Sequence, residues 1–96
     1  MFLLIFEGTP RRTVLGAPHA GGAHISCWIE RPNLEEAIVV ARAWIDAEGW
    51  IADEPDEAYP VNAETYPPGK AGREYFQQAA IDKEVFVFYT FPESGN

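Results

Sequence analysis

The chain has 96 residues, of which 47% are hydrophobic and 14% aromatic. This length accommodates one hydrophobic core and is too short for two ordinary domains, so we predict a single domain over residues 1–96. The formal net charge of −8 at pH 7 gives the surface a negative potential that repels a phosphate backbone, which argues against nucleic acid as a partner.

The first predicted strand covers residues 2–6, a run of aromatic and aliphatic side chains that ends before Glu7 and Gly8. This run lacks the basic start of a secretory signal and is far shorter than the ~20 apolar residues of a membrane span, so we expect no membrane association. Residues 8–22 collect glycine and proline without apolar periodicity, which predicts a flexible loop.

The second predicted strand covers residues 24–30, where side chains alternate with the two-residue period of a strand that has two unlike faces. One face carries Ile25, Cys27 and Ile29, and the other carries His24, Ser26, Trp28 and Glu30.

The first predicted helix begins at Asn33, which with Glu36 has the spacing of a capping box. Its apolar residues recur every three or four positions, and Gly49 supplies a left-handed stop. Trp50 follows at once, so the helix returns the chain into a third strand that we expect to pair in parallel with the second.

Pro55 and Pro60 each remove a backbone donor, which confines the third strand to a sheet edge or divides it into two short strands. A second amphipathic helix is predicted over residues 71–82. The strongest strand pattern covers residues 85–91, and residues 92–96 form a polar tail.

The order strand, strand, helix, strand, helix, strand gives two helices for about four strands. Two such helices cover only one face of the sheet, so the sequence predicts an α+β fold, a two-layer sandwich with a mixed sheet and both helices on one face. The topology is akin to the ferredoxin-like class as a fold-level analogy only, because the leading strand pair departs from that class's usual order.

Neither face of the last predicted strand is polar, so one sheet face needs a cover besides the helices. The simplest cover is a second copy of the chain, in a homodimer whose contact residues are Trp28, Phe86 and Phe88. The alternative is that the loop at 8–22 or the segment at 58–68 folds over this face within one chain.

Three side chains on one face of the second strand, His24, Ser26 and Glu30, have the residue types for acid–base or nucleophilic catalysis, with Trp28 as a wall. Residues two apart on a strand are separated by about 6 to 7 Å, so the sequence does not position His24 and Ser26 for a hydrogen bond. A small enzyme with its site on this face is therefore an alternative hypothesis.

Cys27 is the only cysteine, so an intrachain disulfide is excluded and a reducing, cytoplasmic location is expected. Because Cys27 shares its strand face with Ile25 and Ile29, we predict a buried structural thiol rather than a nucleophile.

No metal or cofactor is expected from the sequence. The spacing of His19 and His24 matches no zinc pattern, and the acidic run at residues 53–57 lacks the alternating ligands and central glycine of a calcium loop. The glycine-rich residues 16–22 lead into a strand and not into a helix N-terminus, so they do not form a phosphate cradle.

These observations favour a small non-enzymatic binding or regulatory module that forms a homodimer and takes a small molecule or a protein as its ligand. The first alternative is the sheet-face enzyme. The second alternative is an acidic protein that binds and neutralises a basic protein partner, because the net charge of −8 is suited to attracting a cationic surface.

Overall fold

The computed structural model describes residues 1–10 and 20–92. Five strands and two α-helices lie in this part of the chain, together with a short 3-10 helix at Ala63–Thr65. In chain order they are β1 (Phe2–Pro10), β2 (Ala20–Ile29), α1 (Leu34–Ala47), β3 (Trp50–Ile51), β4 (Glu57–Pro60), α2 (Arg73–Asp82) and β5 (Glu84–Pro92).

The five strands form one sheet of order β3-β1-β2-β5, with β4 also paired to β1. Every pairing is antiparallel, so the small α+β domain is confirmed and the predicted mixed sheet is wrong. The expected parallel pair of β2 and β3 is also wrong, because β1 lies between them. The two strands run in the same direction, as in a crossover, but each is bonded to β1.

The two helices cover opposite faces of the sheet, which corrects the prediction that both lie on one face. The face under α1, called here the α1 face, buries Leu4, Phe6, Ala23, Ile25, Cys27, Ile29, Ala37, Ala41 and Ile45. The face under α2, called the α2 face, buries Leu3, Trp28, Val61 and Ala79. The predicted two-layer sandwich is therefore replaced by a sheet between two helices.

The connections explain this arrangement. α1 carries the chain from β2 to β3, and α2 carries it from the far edge at β4 back to β5 beside β2. Both faces of β1 and β5 are apolar, so one helix on each face buries more apolar area than two helices on the same face.

The strands extend into the region predicted as a loop at 8–22. Gly8 pairs with Ala23, and Gly22 pairs with Phe91. The Phe91 ring lies over Gly22 so closely that a Cβ atom there would meet its Cζ at 2.6 Å, which explains a glycine inside a strand. Residues 11–19 of the predicted loop and residues 93–96 of the predicted tail lie outside the described residues.

The start of α1 and the edge position of the proline-containing segment are both confirmed. The Asn33 side chain accepts a hydrogen bond from the Glu36 amide at 2.9 Å. β3 and β4 are two short strands on the outer edge of β1, so the segment is at an edge and is also divided. Pro60 pairs with Phe2 at the end of β4, where a missing N–H is tolerated.

Candidate functional site

Trp28 is a core residue in this structure. Its side chain is 5% exposed, its indole packs on the Tyr75 ring of α2 at a centroid distance of 4.9 Å, and its Nε1 donates a hydrogen bond to the Tyr66 hydroxyl at 3.1 Å. The premise of the predicted dimer, an uncovered apolar face around Trp28, is therefore wrong. Of the two predicted covers within one chain, the segment at 58–68 contributes through Val61 and Tyr66.

Phe86 and Phe88, the other two predicted contact residues, lie on the α1 face. Antiparallel pairing sets Phe86 opposite Cys27 and Phe88 opposite Ile25, whereas Trp28 is on the other side of the sheet. The Phe86 ring stacks on Trp44 of α1 at 4.2 Å with an interplanar angle of 5°. The structure thus separates the three predicted interface residues into two cores.

His24 and Ser26 lie on the face of β2 that the alternation predicted, and Glu30 directly follows the strand. His24 is exposed between Glu7 and Tyr89 of the neighbouring strands, with its ring 5.3 Å from the Phe91 ring.

Ser26 is half-buried between Ile5 and Val87. Glu30 directly follows β2, and its carboxylate lies 3.6 Å from the amino group of Met1. No hydrogen bond connects His24 to either side chain among the bonds of the described residues. The sheet-face enzyme hypothesis therefore gains no support from the geometry.

Cys27 is fully buried on the α1 face, as predicted. Desolvation by this burial raises the pKa of its thiol far above the ordinary value of 9.0. A thiolate nucleophile needs an exposed, electropositive setting, so Cys27 is suited to packing and not to covalent chemistry.

Within residues 1–10 and 20–92, no group of three or more His, Cys, Asp and Glu side chains is arranged to hold a metal ion. Across the same described ranges, neither helix has the length and apolar character that a transmembrane span requires.

A groove of about 620 Å³ lies between the outer side of α1 and the segment that begins with β3. We call it the edge groove. Its inner side is formed by Ile38, Trp50 and Ala52, which also pack against the core of the α1 face. Val39 and Ile51 stand at its sides with 67% and 49% of their surface exposed. Exposed aliphatic side chains that adjoin a groove are candidates for a binding surface.

Two carboxylates, Asp46 and Asp53, line the edge groove, and the chain around them is acidic. Six acidic residues and no lysine or arginine lie between positions 46 and 57, namely Asp46, Glu48, Asp53, Glu54, Asp56 and Glu57. All six are exposed. Arg42 is the one basic residue among the described side chains that line the groove, and its guanidinium lies 3.7 Å from the Glu54 carboxylate. The groove therefore combines an apolar interior with an acidic rim.

Only part of this groove is visible in the sequence. The acidic run at 53–57 is visible in the sequence, where alone it resembles a solvated turn. Val39 and Ile51 were not distinguishable from core residues, since their exposure depends on where α1 crosses the sheet. The groove could have been indicated by two features together. One is the acidic run, and the other is an apolar residue of the preceding helix, Val39, that lies outside the buried stripe.

Comparison with protein-family models, with curated proteins and with solved structures gave no match for this chain.

Proposed function

We propose that this chain is a non-enzymatic protein-binding module whose edge groove receives a basic, partly apolar segment of a partner protein. The observation that carries the proposal is the combination in one groove of exposed Val39 and Ile51 with the carboxylates of Asp46 and Asp53. This develops the acidic-protein alternative from the sequence and assigns it a surface.

The shape of the groove favours a chain segment over a small molecule. Small-molecule sites enclose most of their ligand, whereas the edge groove is bounded by α1 on one side and by the segment from Trp50 to Asp53 on the other. A ligand that lies along such a channel keeps one side in solvent, which suits a peptide segment attached to a larger protein.

The charge of the groove selects the chemistry of that segment. Lysine or arginine side chains of a partner would face the carboxylates of Asp46, Asp53 and Glu54, and its apolar side chains would cover Val39 and Ile51. The Arg42 and Glu54 pair has side chains that are 45% and 78% exposed, so it is weak and exchanges readily for a partner cation. Long-range attraction by the net charge of −8 would accelerate association with a cationic protein.

The test is a titration of the ¹⁵N-labelled protein with a helical peptide built from lysine and leucine. Binding is measured from the changes in the amide chemical shifts of the protein. We expect shifts at Val39, Ala43 and Ile51, and a binding constant that falls as salt is raised. The control peptides replace lysine by glutamate or leucine by serine, and both should bind more weakly. Shifts centred on α2, or equal binding of the glutamate peptide, would contradict the proposal.

Two matched pairs of variants separate the charge from the apolar contribution. Asp53→Asn should weaken peptide binding by up to about fivefold, since one exposed ion pair contributes at most about 1 kcal/mol. Glu74→Gln removes the same charge from α2 and should leave binding unchanged. Val39→Ser should weaken binding by roughly three- to tenfold through lost apolar contact, whereas Ile81→Ser, at an equally exposed position of α2, should have no effect.

A further inference from the structure

The outer edge of β5 is the one long sheet edge in the described part of the chain that no strand occupies. β5 has nine residues and pairs with β2 along one side only, whereas the opposite edge of the sheet is made of the short strands β3 and β4. Native proteins usually protect long edges with lysine, proline or a bulge. The stretch from Val85 to Phe91 contains neither proline nor a charged residue.

The hydrogen-bond phase of β5 follows from one bond at its start. The Glu30 amide donates to the Lys83 carbonyl at 2.7 Å, in the same register that pairs Trp28 with Val85 and Ser26 with Val87. Bonded and non-bonded pairs alternate along an antiparallel ladder. The backbone groups of Val85, Val87 and Tyr89 therefore point toward β2.

The alternate residues of β5, Phe86, Phe88 and Thr90, consequently direct their N–H and C=O groups away from the sheet. The other edge obeys the same alternation: the Val61 amide donates to Met1 at 2.9 Å, so the neighbouring Pro60 is at a position that needs no donor. The free side of β5 thus offers a regular row of backbone donors and acceptors to another strand.

We propose that a second copy of this chain occupies this edge, with the two β5 strands antiparallel about a two-fold axis at Phe88. The midpoint of Glu84–Pro92 is Phe88, and Phe88 is also one of the outward residues. When the two strands overlap along their full length, the outward backbone groups of one copy therefore lie opposite the outward backbone groups of the other and can form hydrogen bonds. A two-fold contact uses the same patch on both copies, so it requires no other partner surface.

The side chains favour a second copy as the occupant. In this register Phe88 faces its own copy, Val87 faces Tyr89, and Val85 faces Phe91, which are the aromatic and β-branched pairs that stabilise sheets. Tyr89 is 52% exposed in the single chain and would gain cover. The stretch from Val85 to Phe91 contains no acidic residue, so no two carboxylates face each other across the axis there. This reduces the repulsion expected between two chains of charge −8.

This inference is independent of the proposed function, because the edge groove lies at the opposite edge of the sheet, beside β3. It also replaces the dimer contact through Trp28 that the sequence predicts. The resulting dimer would present two edge grooves at the far ends of one continuous sheet.

The first test is sedimentation equilibrium from about 1 µM to about 1 mM, where mass action reveals weak dimers, together with amide hydrogen exchange at both ends of that range. We expect a monomer–dimer equilibrium. Exchange at Phe86, Phe88 and Thr90 should slow by about tenfold or more at high concentration, while Val85, Val87 and Tyr89 are protected at both. A monomer throughout, or a dimer in which these three outward amides stay unprotected, overturns the proposal.

The variant test uses Thr90→Pro, which removes an outward donor and leaves the pairing with β2 intact. We expect loss of the dimer with an unchanged far-ultraviolet circular dichroism spectrum. Thr90→Val retains the donor and should dimerise as the wild type does. If Thr90→Pro folds and still dimerises, the contact is elsewhere; if it does not fold, the exchange pattern of the wild type decides. Peptide binding at the edge groove is a separate readout, so the two proposals fail independently.

Discussion

Neighbouring residues of β2 show how far a side-chain pattern can be interpreted alone. Alternation placed Cys27 and Trp28 on opposite faces, and the structure confirms that separation. Burial of Cys27 was predictable because its face also carries Ile25 and Ile29. The burial of Trp28 was not, since its cover comes from Tyr66 and Tyr75, which are 38 and 47 residues away in the sequence.

The buried thiol of Cys27 predicts a dependence of stability on alkaline pH. Its folded-state pKa is raised above the ordinary value of 9.0, so above that pH the unfolded chain releases a proton that the folded chain retains. The free energy of unfolding should then fall as pH rises, by up to about 1.4 kcal/mol per pH unit from this one group.

Urea unfolding of the wild type and of Cys27→Ala at several pH values between 8 and 10.5 tests this expectation. The tyrosines are common to both proteins, so their ionisation cancels in the difference. We expect the wild type to lose stability more steeply than the variant above pH 9. Parallel curves would mean that the thiol is accessible to solvent in the folded state.

At the scale of secondary structure, local signals identified both helices but did not show which face of the sheet each helix covers. The Asn33 cap and the stop at Gly49, which has a φ of 90°, define α1 in the sequence and in the structure. α2 begins at Arg73 without a side-chain cap and ends at Asp82, followed by Lys83 with a φ of 79°, so its ends carry weaker signals. The face that each helix covers depends on the path of its connections, which no local pattern contains.

The Asn33 cap gives a prediction for α1. Asn33→Ala removes the acceptor of the Glu36 amide and should lower the free energy of unfolding by about 1 kcal/mol. Asn33→Asp keeps an acceptor beside the positive end of the helix dipole, so its stability should remain within about 0.5 kcal/mol of the wild type. Chemical denaturation measures both. Equal loss in the two variants would show that the cap hydrogen bond is not the stabilising element.

At the scale of the whole molecule, one sheet joins two cores. The cores of the α1 face and the α2 face are separate sets of side chains, but both are built on β1 and β2. If either helix detaches, it exposes apolar side chains of the strands on which the other core is also built. We therefore expect a domain of this size to unfold in one step.

Tryptophan fluorescence can follow the two faces separately. The double variant Trp44→Phe and Trp50→Phe leaves Trp28 as the reporter of the α2 face, whereas Trp28→Phe leaves the reporters of the α1 face. Within each variant, fluorescence and far-ultraviolet circular dichroism should give coincident urea transitions. Two separated transitions in either variant would show that the cores unfold independently.

By itself the sequence determined the α+β class, the presence of two helices, the start of α1, the edge position of the proline-containing segment and the burial of Cys27. Each of these depends on periodicity or on turn chemistry within a few residues, which are properties of the local chain. Only the tertiary structure decided that β1 separates β2 from β3, that α2 covers Trp28, and that Val39 and Ile51 remain exposed beside the acidic rim. These features depend on which segments distant in sequence become neighbours, because burial is set by the whole set of contacts and not by the pattern of any one segment.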